Sequence, residues 1–175
     1  MNDVSAPDQR SDRPRRAGER YARFYPPIAV VLFVLSFFPL YDDVVVRDGD
    51  VTSVTHYGSV FDLAGEDQRG PAEVGILLLI VLIVMLAVGS ARTSSALVAA
   101  TIAIFASLVA IMVLAEPGTG APAPGVSDPG AAGAALAIAT AVWAALHAVH
   151  VGVLKKAAAS SSLAASSGDV PPSGS

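Results

Sequence analysis

Cysteine is absent from this chain of 175 residues. That excludes a disulfide framework, thiolate metal ligands and a cysteine nucleophile. A second absence says more. Across 24–41, 74–91, 94–115 and 131–154 no Asp, Glu, Lys, Arg, Asn or Gln interrupts the sequence. Those are the residue types on which most transporters and membrane enzymes rely. No serine–histidine–acid constellation, glycine-rich phosphate loop or HExxH motif is present either, so no catalytic residue, metal site or cofactor is expected.

What is there is apolar. The composition is 53% hydrophobic and 15% charged, and a bilayer core about 30 Å thick needs roughly 20 apolar residues in a helix. The four runs meet or approach that length. The expected fold is an all-α integral membrane protein: a four-helix transmembrane bundle with spans at 24–41, 74–91, 94–115 and 131–154. Outer loops fall at 42–73 and 116–130, and an inner turn at 92–93.

Local charge orients this plan. Arg10, Arg13, Arg15, Arg16, Arg20 and Arg23 precede the first run, Arg92 lies between the second and third, and Lys155 and Lys156 follow the fourth. The loop between runs one and two is acidic instead, and the one between three and four has no basic residue. Basic segments stay cytoplasmic, which places both termini and the Arg92 turn inside. Phe37-Phe38-Pro39-Leu40-Tyr41 offers no small-x-small cleavage site, so the first run reads as an uncleaved span. Heavy Ala, Gly and Val usage points to a GC-rich bacterium, so the membrane expected for the apolar runs is the bacterial plasma membrane.

Residues 1–23 have few large apolar groups to bury and read as a disordered cytoplasmic arm. Residues 155–175 read as a disordered low-complexity tail. In the first outer loop, Val44–Arg47 and Asp50–Thr55 flank Asp48-Gly49, a pair suited to a type I′ turn, and predict a β-hairpin with Val46 opposite Val51 and Val45 opposite Thr52. The acids of this loop lack the ligand alternation of a calcium loop. Residues 116–130, rich in Pro, Gly and Ala, read as a flexible connector.

Inside the membrane the main signal is small residues at four-residue spacing: Gly133, Ala137, Ala141 and Ala145 on span four, and Ala99, Ala103 and Ser107 on span three. Such rows let helices approach closely, so spans three and four should pack together while the bulky, leucine-rich face of span two meets lipid or a partner. His147 and His150 share a face with Trp143, and ionisable groups within a span are candidates for function. No carboxylate or cysteine is placed to complete a metal site with them. A packing or polar-interface role is the leading reading, a proton- or partner-sensing pair the next.

The order of elements is similar to that of claudin-type four-span proteins, without their Trp-Gly-Leu-Trp and paired-cysteine loop signature; Trp143 lies in span four. That likeness implies a fold plan and nothing about function. The expected function is a non-enzymatic accessory, assembly or scaffold partner of other membrane or envelope proteins, with the bilayer and such a protein as partners, homo-oligomers allowed and nucleic acid not. The alternative is a small transporter or channel lined by Ser36, Thr101, Ser107, Thr140 and the histidine pair. A histidine-dependent redox or metal protein ranks third.

Overall fold

The computed structural model describes residues 8–47, 50–56, 58–59, 61, 71–115 and 125–167. In chain order the elements are α1 (Asp8–Ala22), α2 (Tyr25–Leu35), β1 (Tyr41–Arg47), β2 (Asp50–His56), α3 (Pro71–Ala91), α4 (Ala96–Leu114), β3 (Gly125–Val126) and α5 (Asp128–Ser167). Among the described residues three helices, α3, α4 and α5, are long and apolar enough to cross a membrane. Their outward faces carry Leu77, Ile80 and Val84 on α3, Leu97, Ile104 and Ile111 on α4, and Val142, Leu146 and Val149 on α5, all exposed. In water, contiguous apolar patches beyond a few hundred Å² are rare and drive association; in hydrocarbon such faces are simply the solvated surface.

The first apolar run is shorter as a helix than 24–41. The helix α2 has 11 residues, roughly 16 Å of rise against a hydrocarbon core of about 30 Å. Helical bonding persists for three more residues: the N–H groups of Ser36, Phe37 and Phe38 donate to the carbonyls of Leu32, Val34 and Leu35 at 3.1, 3.2 and 3.1 Å. Pro39 then ends it, because proline has no N–H to donate and disfavours a helical conformation at the residue before it.

Both segments expected to be without structure contain helix. From Asp8 to Ala22 the arm is α1. Its composition alone cannot support order, but Pro14, Gly18 and Ala22, spaced by four, are buried, and α1 packs against α5 and more lightly against α3. At the other end α5 runs past Lys155 and Lys156 to Ser167, 40 residues in all and roughly 60 Å long. The alanine-rich stretch that follows the lysines has high helix propensity and prolongs a helix whose nucleation cost is already met.

A three-stranded sheet of order β2-β1-β3 lies at the opposite end. Val46 faces Val51, but an irregularity between Val45 and Val46 sets Val45 opposite Ser53 instead of Thr52. Asp48 and Gly49 lie outside the described residues. The connector expected to be flexible contributes β3, with Val126 opposite Tyr41 and Gly125 opposite Asp42. Ser127 then joins the two outer segments. Its Oγ donates to the Pro39 carbonyl at 2.6 Å, its N–H donates to the Leu40 carbonyl at 2.9 Å, and it accepts from the Gly130 N–H at 3.0 Å. That last bond is an N-cap, so α5 begins at Asp128, three residues before the expected Ala131. Tyr41, buried, donates its hydroxyl to the Val113 carbonyl at 3.1 Å, fastening β1 to the end of α4.

The most extensive contact between two elements is that of α4 with α5. Buried on these two helices are Ala99, Ile102, Ala106, Val109 and Ala110 of α4 and, among others, Ala134, Ala137, Thr140 and Ala144 of α5. Of the residues singled out by four-residue spacing, Ala99 and Ala137 are buried, Ala103, Gly133 and Ala141 are half-buried, and Ser107 and Ala145 are exposed. A strict four-residue row drifts about 40° per step around a helix of 3.6 residues per turn, so it leaves a straight seam within two or three steps. Leu79, Leu82 and Leu86 of α3 turn inward to the core rather than outward. Gly89 admits two neighbours to α3: a Cβ there would stand 2.6 Å from Ile102 Cδ1 and 3.1 Å from the Tyr25 ring.

Candidate functional site

Tyr21, Tyr25, Trp143, His147 and His150 converge where α1, α2, the α3–α4 turn and α5 meet. Trp143, His147 and His150 recur at offsets of four and three on α5, and Tyr21 and Tyr25 are four apart across the α1–α2 junction, so each set presents one face to the other. Tyr21 sits among three residues of α5. Its ring stacks on His147 with centroids 5.0 Å apart and planes 3° from parallel. It meets Trp143 at 5.0 Å and His150 edge-on at 5.8 Å. The Trp143 indole N–H donates to the Tyr21 carbonyl at 3.2 Å, and Phe24 packs edge-on against the same indole at 5.0 Å.

His147 is the centre of the cluster. It is 1% exposed, and Tyr25 is 0% exposed. Its Nε2 lies 3.0 Å from the Thr93 carbonyl oxygen and its Nδ1 lies 2.7 Å from the Tyr25 hydroxyl. A carbonyl can only accept, so Nε2 carries a proton. In the neutral ring Nδ1 is then the acceptor and Tyr25 the donor. One imidazole thus ties α5 to α2 and to the turn that joins α3 to α4. Gly18 makes room for this arrangement, because a Cβ there would collide with the Thr93 carbonyl and touch His147 Nε2 at 3.4 Å. His150, exposed, pairs through Nδ1 with the Tyr21 hydroxyl at 3.1 Å.

His147 and His150 therefore share Tyr21 as a neighbour while standing in different surroundings, one enclosed and one open. The residues that complete the cluster were not legible as a site. Tyr21, Phe24 and Tyr25 have the look of an interfacial aromatic belt, Gly18 falls in an arm, and Thr93 takes part through its backbone. The complementary four-residue spacing of Tyr21/Tyr25 and Trp143/His147 was the one available signal.

The hydroxyls considered as a polar path are bound within their own helices. Ser36 donates to the Phe33 carbonyl at 2.6 Å, Thr101 to Leu97 at 3.0 Å, Ser107 to Ala103 at 2.9 Å and Thr140 to Leu136 at 2.7 Å. Ser36 and Thr140 are buried while Ser107 is exposed. Among the described residues no group of three or more His, Asp or Glu is placed to hold a metal, and no buried side-chain nitrogen or oxygen lacks a partner. One further feature is an open apolar groove between α4 and α5, lined by Ala103, Ile104, Ser107, Leu108, Ala141, Val142 and Ala145.

No family model matches the chain, and comparison with curated proteins and with solved structures finds no match.

Proposed function

We propose that this chain is a non-enzymatic membrane protein that crosses the bacterial plasma membrane four times, with α1 and the end of α5 in the cytoplasm, and acts as an accessory or scaffold partner of another membrane or envelope protein. The short α2 and the turns after it form the first crossing. The excess of Arg and Lys on α1, at Arg92 and at Lys155 and Lys156 within α5 orients the bundle. The histidine–tyrosine cluster is a structural clasp: its hydrogen bonds are directed at other parts of the same chain.

The observation that carries this reading is the groove between α4 and α5. Ala103, Ser107, Ala141 and Ala145 line it, and small residues at a membrane helix surface let another helix approach closely, where van der Waals contact substitutes for the hydrophobic drive that lipid cannot supply. The test compares two substitutions in native membranes solubilised gently and run on blue-native gels. Ala145→Leu fills the groove from an exposed position, so it should abolish migration with a partner while changing the chain's own stability by less than about 0.5 kcal/mol. Ala137→Leu, at a buried position, should destabilise the chain itself by about 1–3 kcal/mol. Migration of the unsubstituted chain only as an isolated monomer contradicts the proposal.

A further inference from the structure

We propose that α1 is a headgroup clamp that binds the anionic phospholipids of the membrane holding the bundle. Three observations support this, and none of them depends on a protein partner for the groove.

The first is the division of α1 into faces. Pro14, Gly18 and Ala22 are buried, whereas Arg13, Arg15, Arg16, Arg20 and the adjoining Arg23 are exposed. Arg13, Arg16 and Arg20, at offsets of three and four, form one stripe along the helix. Arg15 is engaged with Glu19 at 3.3 Å, and Arg16 also has a partner within the chain. The second is that the stripe cannot roll inward. Gly18 is pressed against the Thr93 carbonyl and Tyr21 is held against Trp143, His147 and His150, so the rotation of α1 about its axis is set. The same contact brings α1 beside Arg92, the exposed neighbour of Thr93.

The third is the abrupt change after Arg23. Phe24 is 53% exposed, and Val30, Val31, Phe33 and Val34 follow it with exposed apolar side chains. A hydrocarbon surface that begins at Phe24 puts Arg23 and Arg20 at headgroup level, within the roughly 10 Å over which charge is felt at moderate salt. Guanidinium groups bind phosphate through several donors in a plane. The partner chemistry that fits is a phosphodiester headgroup bearing net negative charge, such as phosphatidylglycerol, presented by the bilayer.

The full-length protein is reconstituted in phosphatidylcholine vesicles that carry trace spin-labelled phosphatidylglycerol or spin-labelled phosphatidylcholine. The motionally restricted fraction of each label gives its relative association with the protein. Phosphatidylglycerol should associate about fivefold more strongly at low salt, with the preference fading as salt rises. The triple variant Arg13→Gln, Arg20→Gln, Arg23→Gln should lose the preference, while the same three positions changed to lysine should keep most of it. Lys155→Gln with Lys156→Gln should keep it too. Tryptophan emission and helicity unchanged in each variant establish that the bundle is intact. Equal association of the two lipids with the unsubstituted protein, or an undiminished preference in the glutamine variant, overturns the proposal. So does loss of the preference on adding inorganic phosphate at matched ionic strength, which would make the site one for free anions.

Discussion

Replacing His147 with alanine is expected to lower the stability of the protein by about 3 kcal/mol, the largest effect of any single change at the cluster. The substitution removes the partner of the buried Tyr25 hydroxyl and of the part-buried Thr93 carbonyl. Each buried group that loses its partner costs roughly 1–3 kcal/mol. Hydrogen bonds between membrane helices lie nearer the bottom of that range, about 0.6 kcal/mol on average, because the separated helices find other partners. The vacated ring volume adds to the loss, since Tyr21 is stacked against it. Together these place the effect near the stated figure, a fall in Tm of about 6–12 °C for a chain of this size. Thermal unfolding in mild detergent measures it. The variant His147→Gln should recover part of the loss, because its amide nitrogen reaches close to the position of Nε2 and can still donate to Thr93. An alanine variant as stable as the original would mean that the imidazole does not fasten the helices.

Gly18 and Gly152 should respond to alanine with opposite signs. At Gly18 the added methyl collides with a backbone carbonyl of the inner turn, which cannot rotate away as a side chain would. Forcing extra volume into such a contact costs about 1–3 kcal/mol, and the strain is relieved by moving α1 off the bundle. That movement breaks the stacking of Tyr21 on His147 and exposes the Trp143 indole. Tryptophan emission should shift to longer wavelength. Trypsin should cut within α1 about thirtyfold faster if the local opening becomes easier by about 2 kcal/mol. At Gly152, within α5, nothing lies within 4 Å of the new atom. Alanine there restricts the unfolded chain and favours the helix, a gain of roughly 0.5–1 kcal/mol. Equal effects at both positions would remove the argument that α1 is seated by close approach at Gly18.

The sequence made some of this legible and concealed the rest for identifiable reasons. Long apolar runs locate α3, α4 and α5 because hydrocarbon tolerates no other composition over such lengths. Pro39 marks where the first run stops. Counting apolar residues up to Tyr41 nevertheless overstates the helix, since composition is blind to the restriction that proline places on Phe38. The helix α1 was hidden because its order comes from Pro14, Gly18 and Ala22 meeting other elements, a tertiary effect that local composition does not record. Ser127 followed by Asp128-Pro129 is a helix-start signal, and its second role, bonding to Pro39, depends on where the first outer segment passes. In the cluster, the spacing of Trp143, His147 and His150 was visible, and their sharing of one face was a sound inference. That Tyr21 and Tyr25 would fill the opposite side follows only from which helices are neighbours, and the Thr93 carbonyl leaves no trace in residue identity at all.

The central claim is that α2, though only 11 residues long, carries the chain across the bilayer, so that the clasp at His147 and the sheet at Tyr41 stand on opposite sides. Because the chain has no cysteine, single cysteines can be introduced against a blank background and labelled in sealed cells with a membrane-impermeant maleimide. Arg13→Cys and Ser160→Cys should react only after the membrane is permeabilised, and Asp67→Cys and Gly120→Cys should react in intact cells. Labelling of Arg13→Cys and Asp67→Cys from the same side would show that α2 enters and leaves the membrane on one face, and would contradict the account.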